Sequence, residues 1–254
     1  MVETALITGA SSGLGAEYAR QLAAQGNALV LVARDTEALE ALATVLRESH
    51  GVHVEVLACD LLDPQGVDRV TARLSDAAQP VDLLINNAGF GLALDFESND
   101  VEDEARHVRI HNEVPMRLTH AALQGMLERG RGQIVNVASV AAFIPRSTYS
   151  AAKQWLVLFS RWANARYRSR GVTVTAVCPG FTHTNFHERL GLPPGQEGVP
   201  RWMWLSAKSV VAESLRDVDR GKAVSVPSLR YKLIVLLTKV LPQGFLARVG
   251  ERGR

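Results

Sequence analysis

The stretch Thr8-Gly9-Ala10-Ser11-Ser12-Gly13-Leu14-Gly15 decides how this chain is read. It follows a short apolar run, Thr4 to Thr8, and opens a segment with helical spacing, Leu14 to Gln25, that stops at Gly26. Strand, glycine turn and helix in that order make a βα unit. The glycines stand at G-x-x-x-G-x-G spacing, the last two where the helix must begin. Glycine permits the tight turn and lets backbone N–H groups approach a pyrophosphate, to which the helix N-terminus adds partial positive charge. An ordinary βα turn also favours Gly and Ser, so the reading needs support from the rest of the chain.

That support lies in the alternation that follows. Apolar runs at 28–33, 52–58, 81–85, 133–138, 172–177 and 223–226 read as strands. Between them, 36–50, 63–78, 101–129, 149–170 and 206–220 carry helical spacing. Asp63-Pro64 suits an N-cap followed by Pro in the first turn, and Gly51 and Gly171 suit helix stops. Strands buried on both faces read as continuous apolar runs, as these do. The alternation predicts right-handed βαβ units and one α/β domain over 1–254. The expected fold is a Rossmann-like, doubly wound parallel sheet of about seven strands with helices on both faces. Ligands of such sheets bind at the carboxyl ends of the strands.

The bulk numbers agree with one domain of this kind. The 254 residues can bury a sizeable core, and 47% hydrophobic with 21% charged is ordinary for a soluble globular protein. A formal net charge of +2 is too mild to argue for nucleic acid as a partner. Cys59 and Cys178 have neither metal spacing nor the count of a disulfide framework, which makes a reducing compartment the default. The first residues lack a basic, apolar leader, and no run reaches the length of a membrane-spanning helix. The expected location is the cytoplasm.

The pattern T-G-x-x-x-G-x-G resembles the short-chain dehydrogenase/reductase family, and the resemblance extends from about Val2 to Thr184. Asp60, with Leu61 beside it, matches the family's adenine-contacting aspartate after the third strand. Asn86-Asn87-Ala88-Gly89 matches the N-N-A-G motif that steadies the sheet beside the cofactor. Pro179-Gly180 and Thr184 match its nicotinamide segment, although Thr182 stands where an aliphatic residue is usual. Asn112, Ser139, Tyr149 and Lys153 match its catalytic tetrad.

The resemblance implies hydride transfer between a nicotinamide cofactor and a carbonyl or secondary alcohol, with the hydride chemistry done by the cofactor. Tyr149 is then the proton donor in reduction, and Lys153 binds the ribose hydroxyls. Ser139 orients and polarises the carbonyl, and Asn112 holds a helix kink and a relay water. The implied cofactor contacts are Gly9, Ser11, Ser12, Gly13, Leu14, Gly15, Arg34, Asp60, Leu61, Asn87, Ala88, Gly89, Tyr149, Lys153, Pro179, Gly180, Thr182 and Thr184. A homodimer or homotetramer is implied too, through the 101–129 and 149–170 helices. Trp155, Leu158, Phe159 and Trp162 suit such an interface and would equally suit a core.

The residues add physical content. Tyr149 and Lys153 are four apart and share a helix face. A free tyrosine, with a pKa of about 10, is a poor proton exchanger at neutral pH. A nearby ammonium is expected to lower that value toward general acid–base use. Ser139 and Tyr149 are ten positions apart, closer than the family's commoner spacing, which predicts an intact tetrad but an altered pocket wall.

Ala33-Arg34-Asp35 follows the second strand, with alanine where NAD-preferring members place an acid. Arg34 can pair with a 2′-phosphate or simply lie in solvent, and Asp35 suits a helix cap. The sequence favours NADP(H), with NAD(H) as the alternative.

A lid over the substrate is expected at about 183–207. Its apolar residues suit either an apolar ketone or acyl substrate or packing against protein. His183 and His187, with Glu188 beside it, lack a third ligand, and no metal is expected.

The apolar tail at about 228–254 is too short to span a bilayer, which takes roughly 20 residues. Packing over the cleft or on a subunit is favoured over peripheral membrane contact. Two other readings stay open: a non-catalytic nucleotide-binding scaffold, and a membrane-associated 3-oxoacyl-type reductase.

Overall fold

The computed structural model describes residues 3–92, 96–184, 200–238 and 240–241. A seven-stranded sheet forms from β1 (Thr4–Thr8), β2 (Ala28–Ala33), β3 (Val54–Ala58), β4 (Leu83–Asn86), β5 (Gly132–Val137), β6 (Val172–Val177) and β9 (Val224–Ser225). Its order is β3-β2-β1-β4-β5-β6-β9, and every pair is parallel. Order reverses between β1 and β4, so their carboxyl ends open the crevice where such folds bind nucleotides.

Successive strand residues point to opposite faces, which explains the unbroken apolar runs. On one face Ile7, Leu29 and Leu31 pack with Tyr18 and Leu22 of α1 (Gly13–Ala24), Leu39 and Leu46 of α2 (Thr36–His50), and Val211 and Leu215. On the other, Leu6, Val30, Leu84 and Ile134 pack with Val70 of α3 (Pro64–Leu74) and with Leu118 and Met126. The expected doubly wound sheet is the observed one.

Local signals place the helix starts. Asp35 and Asp63 accept from Ala38 N at 3.0 Å and Gln65 N at 3.0 Å. Ser147 caps α6 (Thr148–Tyr167), and Ser206 caps α7 (Ala207–Asp219). α3 ends at Leu74 rather than near 78, because Asp76 accepts from Ala78 N at 2.9 Å and turns the chain.

The expected single segment at 101–129 is three pieces: α4 (Val101–Val108), a π turn over Arg109–Glu113, and α5 (Val114–Arg129). Pro115 has no N–H to donate to the carbonyl four residues back, and the helix widens there. Two features were not expected at all. One is a small parallel pair, β7 (Thr182–His183) with β8 (Leu205–Ser206). The other is α8 (Leu229–Thr238), inside the apolar tail. Among the described residues, no helix is long and apolar enough to cross a membrane.

Candidate active site

The phosphate turn is built for close backbone approach. Gly9 and Gly13 have φ of 65° and 56°, which disfavours any side chain there. A Cβ on Gly15 would run into the Gly9 carbonyl. Ser11 and Ser12 are half-buried beside them, Ser12 in extended conformation at the N-cap of α1. Leu14 turns inward, against the cluster of Leu205, Val210 and Tyr231. The first amides of α1 thus face the crevice beside a turn with no side chains at its glycines, which fits a pyrophosphate.

The motif after β4 locks this turn. Thr8 Oγ1 donates to the Ile85 carbonyl (3.3 Å) and accepts from Asn87 N (2.9 Å) and Ala88 N (3.0 Å). Asn87 Nδ2 donates to the Thr8 carbonyl at 2.9 Å and the Gly9 carbonyl at 3.2 Å. Asn86 works lower in the sheet, donating to Asn136 Oδ1 at 2.9 Å, and Asn136 donates to Ser160 Oγ at 2.9 Å. Gly89 lies against the His111 ring.

Arg34 and Asp60 meet at the ends of β2 and β3. The guanidinium lies 3.9 Å from the carboxylate, and their side chains are 68% and 43% exposed. An exposed pair of this kind is weak, so Arg34 is available to a ligand. Asp60 also accepts from Leu62 N at 2.9 Å, and Leu61 is buried. Asp35 spends its side chain on the α2 cap.

The tetrad residues converge at the ends of β5 and α6. Ser139 Oγ accepts from Ala141 N at 3.1 Å in a 3₁₀ turn over Val140–Phe143, and the Ser139 hydroxyl also hydrogen-bonds Tyr149. The ten-residue spacing therefore leaves the pair intact. Lys153 Nζ sits 5.5 Å from the Tyr149 ring centroid and donates to the Val137 carbonyl at 2.7 Å. Asn112 lies in the π turn, its Nδ2 donating to the Ala152 carbonyl at 2.9 Å, which ties α6 to that turn.

The electrostatic expectation for this pair needs correcting. Burial pushes the Tyr149 phenol up to about 12, and the Ser139 hydrogen bond only partly offsets that. Burial likewise brings Lys153 down to about 7. Desolvation is the largest cause for both groups, with Lys153 buried and Tyr149 partly buried. Cys178, beneath Ser139, is held up at about 12 by the same burial and remains a thiol.

The nicotinamide-type segment closes the ring of elements. The Pro179 carbonyl accepts from Val140 N at 3.0 Å. Thr182 Oγ1 donates to the Gly180 carbonyl at 2.9 Å, a local bond that an aliphatic residue would lack. Thr184 reaches the phosphate turn, where a Cβ on Gly13 would lie 3.3 Å from Thr184 Cβ.

Sequence reading missed Tyr231 of α8. Its ring fills the space a Gly180 side chain would need; its hydroxyl accepts from Phe181 N at 3.1 Å and donates to the Met203 carbonyl at 2.8 Å. His183 stacks on Trp204 with ring centroids 4.8 Å apart. His187, Glu188 and most of the expected lid lie outside the described residues.

A second omission is the pair His107 and His111, four apart in the segment leading to Asn112. Their rings lie 5.8 and 5.6 Å from the Tyr149 ring, centroid to centroid. The H-x-x-x-H spacing was a readable signal, but only the structure shows it facing Tyr149.

Comparison with known proteins agrees with this geometry. The chain is 34% identical to a short-chain dehydrogenase from Sphingobium yanoikuyae solved in complex with NADPH, with a TM-score of 0.85 over 94% of each chain. It is 31% identical to the bulky-bulky ketone specific alcohol dehydrogenase from Comamonas testosteroni, with a TM-score of 0.81 over 94% of this chain and 93% of the other. It is 32% identical to the very-long-chain 3-oxoacyl-CoA reductase of Anas platyrhynchos over 188 residues, 71% of this chain but 60% of that protein. Residues 3–193 match the short chain dehydrogenase family. With glycine cradle, N-N-A-G lock and Ser–Tyr–Lys cluster on one doubly wound sheet, the chain belongs to the short-chain dehydrogenase family of NAD(P)-dependent oxidoreductases.

Proposed function

We propose that this chain is an NADP(H)-dependent oxidoreductase that reduces a bulky apolar ketone or a 3-oxoacyl group, or oxidises the corresponding alcohol. The observation that carries the reading is the Ser139–Tyr149 hydrogen bond with Lys153 beside it, on the same carboxyl edge of the sheet as the glycine turn. The substrate oxygen sits between the Ser139 and Tyr149 hydroxyls, and Tyr149 passes it a proton. Bound NADPH supplies the hydride. Lys153, Pro179, Gly180, Thr182 and Thr184 hold the nicotinamide half, while the turn at 9–15, Arg34, Asp60, Leu61 and 87–89 hold the rest. Arg34 pairs with the 2′-phosphate, since nothing acidic stands at Ala33 to meet a free 2′-hydroxyl.

Burial of Tyr149 as a phenol supports reduction, because a phenol is already a proton donor. The apolar residues Phe181, Met203 and Trp204 beside the cleft support an apolar substrate. The proposed location is the cytoplasm and the proposed assembly a homodimer or homotetramer, supported by the exposed stripe of Trp155, Leu158 and Trp162 on α6.

The test is NADPH absorbance with benzil and with a long-chain 3-oxoacyl-CoA. Turnover of either with NADPH, at least about tenfold faster than with NADH, is expected. Cofactor binding without turnover of any ketone would favour the scaffold reading instead.

A further inference from the structure

Glu104, His107 and His111 lie on successive turns of α4 and the π turn, and only 6%, 0% and 2% of their surfaces is exposed. Among the described residues, four of their polar atoms have no hydrogen-bond partner: Glu104 Oε2, His107 Nδ1, His107 Nε2 and His111 Nδ1. The two imidazoles are 4.4 Å apart, and both rest against the Tyr149 ring. Buried polar atoms are almost always paired with protein or ordered water, so four orphans side by side call for water.

The three side chains are not equivalent. His111 Nε2 lies 2.8 Å from the Phe90 carbonyl, so its proton is committed there and Nδ1 is a bare acceptor. Glu104 Oε1 accepts from Asn99 Nδ2 at 2.8 Å, leaving Oε2 buried without a partner among the described residues. Among the described residues, His107 alone of the three is uncommitted at both ends. Burial first, and the Lys153 charge second, hold His107 down at about 4 and His111 well below the usual histidine value, so both rings are neutral near pH 7. A neutral imidazole gains a proton at one nitrogen while losing one from the other.

We propose that His107 relays protons between Glu104 and Tyr149 through water held among these unpartnered atoms. The proposal rests on Tyr149 being the proton donor. In reduction the carbonyl carbon gains a hydride, its oxygen gains the Tyr149 proton, and Tyr149 is left as a phenolate. A water beside Tyr149 gives the phenolate a proton and takes one from the protonated nitrogen of His107. The other nitrogen takes a proton from a water held at Glu104, and bulk solvent returns one proton to that water. Charge balances at every step, His107 ends neutral with its tautomer exchanged, and a half-turn of the ring restores it. In alcohol oxidation the same path runs outward.

The test uses His107→Gln, which keeps hydrogen-bonding ends but cannot exchange tautomers, and His107→Phe, which keeps only the ring. NADPH-loaded enzyme is mixed rapidly with benzil. Tyr149 starts protonated, so the first turnover does not need the relay. Both variants should oxidise one NADPH per site at the wild-type rate and then slow by about tenfold or more, within the usual range for a lost proton-transfer group. Wild-type steady-state rates in both variants overturn the relay, and so does a first turnover slowed as much as the later ones, which marks a positioning role.

Tyr149→Phe is the control. If it turns over normally, the reading of Tyr149 itself fails. If it is inactive while the His107 variants are normal, only the relay fails. Should the variants not fold or benzil not react, a high-resolution crystal structure of the wild-type complex with NADPH decides. Ordered water bonded to both His107 nitrogens is expected, and a dry pocket overturns the proposal.

Discussion

At Lys153, burial of an ammonium for the proposed chemistry costs stability. Tyr149→Phe keeps the ring and its packing but removes the proton, so turnover should fall by about 10²–10⁴-fold with NADPH binding nearly unchanged. Steady-state kinetics beside a fluorescence titration of NADPH separates the two effects. Lys153 holds its proton at about 7 in the fold, against about 10.4 for an unfolded lysine. Between those values the unfolded chain carries more protons, so stability of the cofactor-free protein should rise with pH across that window. Lys153→Met should flatten the rise and lift the melting temperature near pH 7 by roughly 2–4 °C, while turnover is lost. Melting curves at several pH values check both. Arg34→Ala should weaken NADPH binding by about tenfold and NADH binding far less. Equal losses for the two cofactors would remove the 2′-phosphate assignment.

Elements were legible where one local rule fixes them. The glycine turn, the Asp and Ser caps and the two-faced apolar strands could be read because each rests on neighbours in sequence. The shortfalls have a different origin. Tyr231 means nothing until Gly180, 51 positions earlier by number, is seen beneath its ring. His107 acquires meaning only when Phe90 and Tyr149 arrive from other elements. Pro115 was a readable cause of the π turn, yet its effect, turning Asn112 toward α6, is tertiary. The tuning of Tyr149 was misjudged because burial cannot be read from a four-residue spacing. Gly180→Ala tests the Tyr231 wedge. The added methyl must displace a ring held by two hydrogen bonds, so overpacking of about 1–3 kcal/mol is expected, with α8 loosened. Hydrogen exchange of α8 amides reads this directly, and unchanged protection would contradict it.

For the whole molecule, the exposed surfaces carry the next question. Trp155, Leu158 and Trp162 are 38%, 67% and 54% exposed, and Trp155 stacks on Phe159 at 5.0 Å. They are therefore not the core that the sequence also allowed. Leu158→Glu with Trp162→Glu should shift sedimentation toward the monomer while secondary structure is kept. An unchanged oligomer would place the interface elsewhere. α8 turns Tyr231 and Val235 inward and leaves Leu229, Leu233, Leu236 and Leu237 outside.

The closing of the cleft by Thr184 and Tyr231 also bears on how the protein is made. The phosphate turn leaves the ribosome long before Tyr231 does. A nascent chain carrying β1 to β6 has most of its sheet, yet the Tyr231 ring is not yet there to pack on Gly180. A finished cleft is thereby expected only once Tyr231 has emerged. A premature stop just before codon 231 would release a chain with every tetrad residue present and no finished cleft to use them.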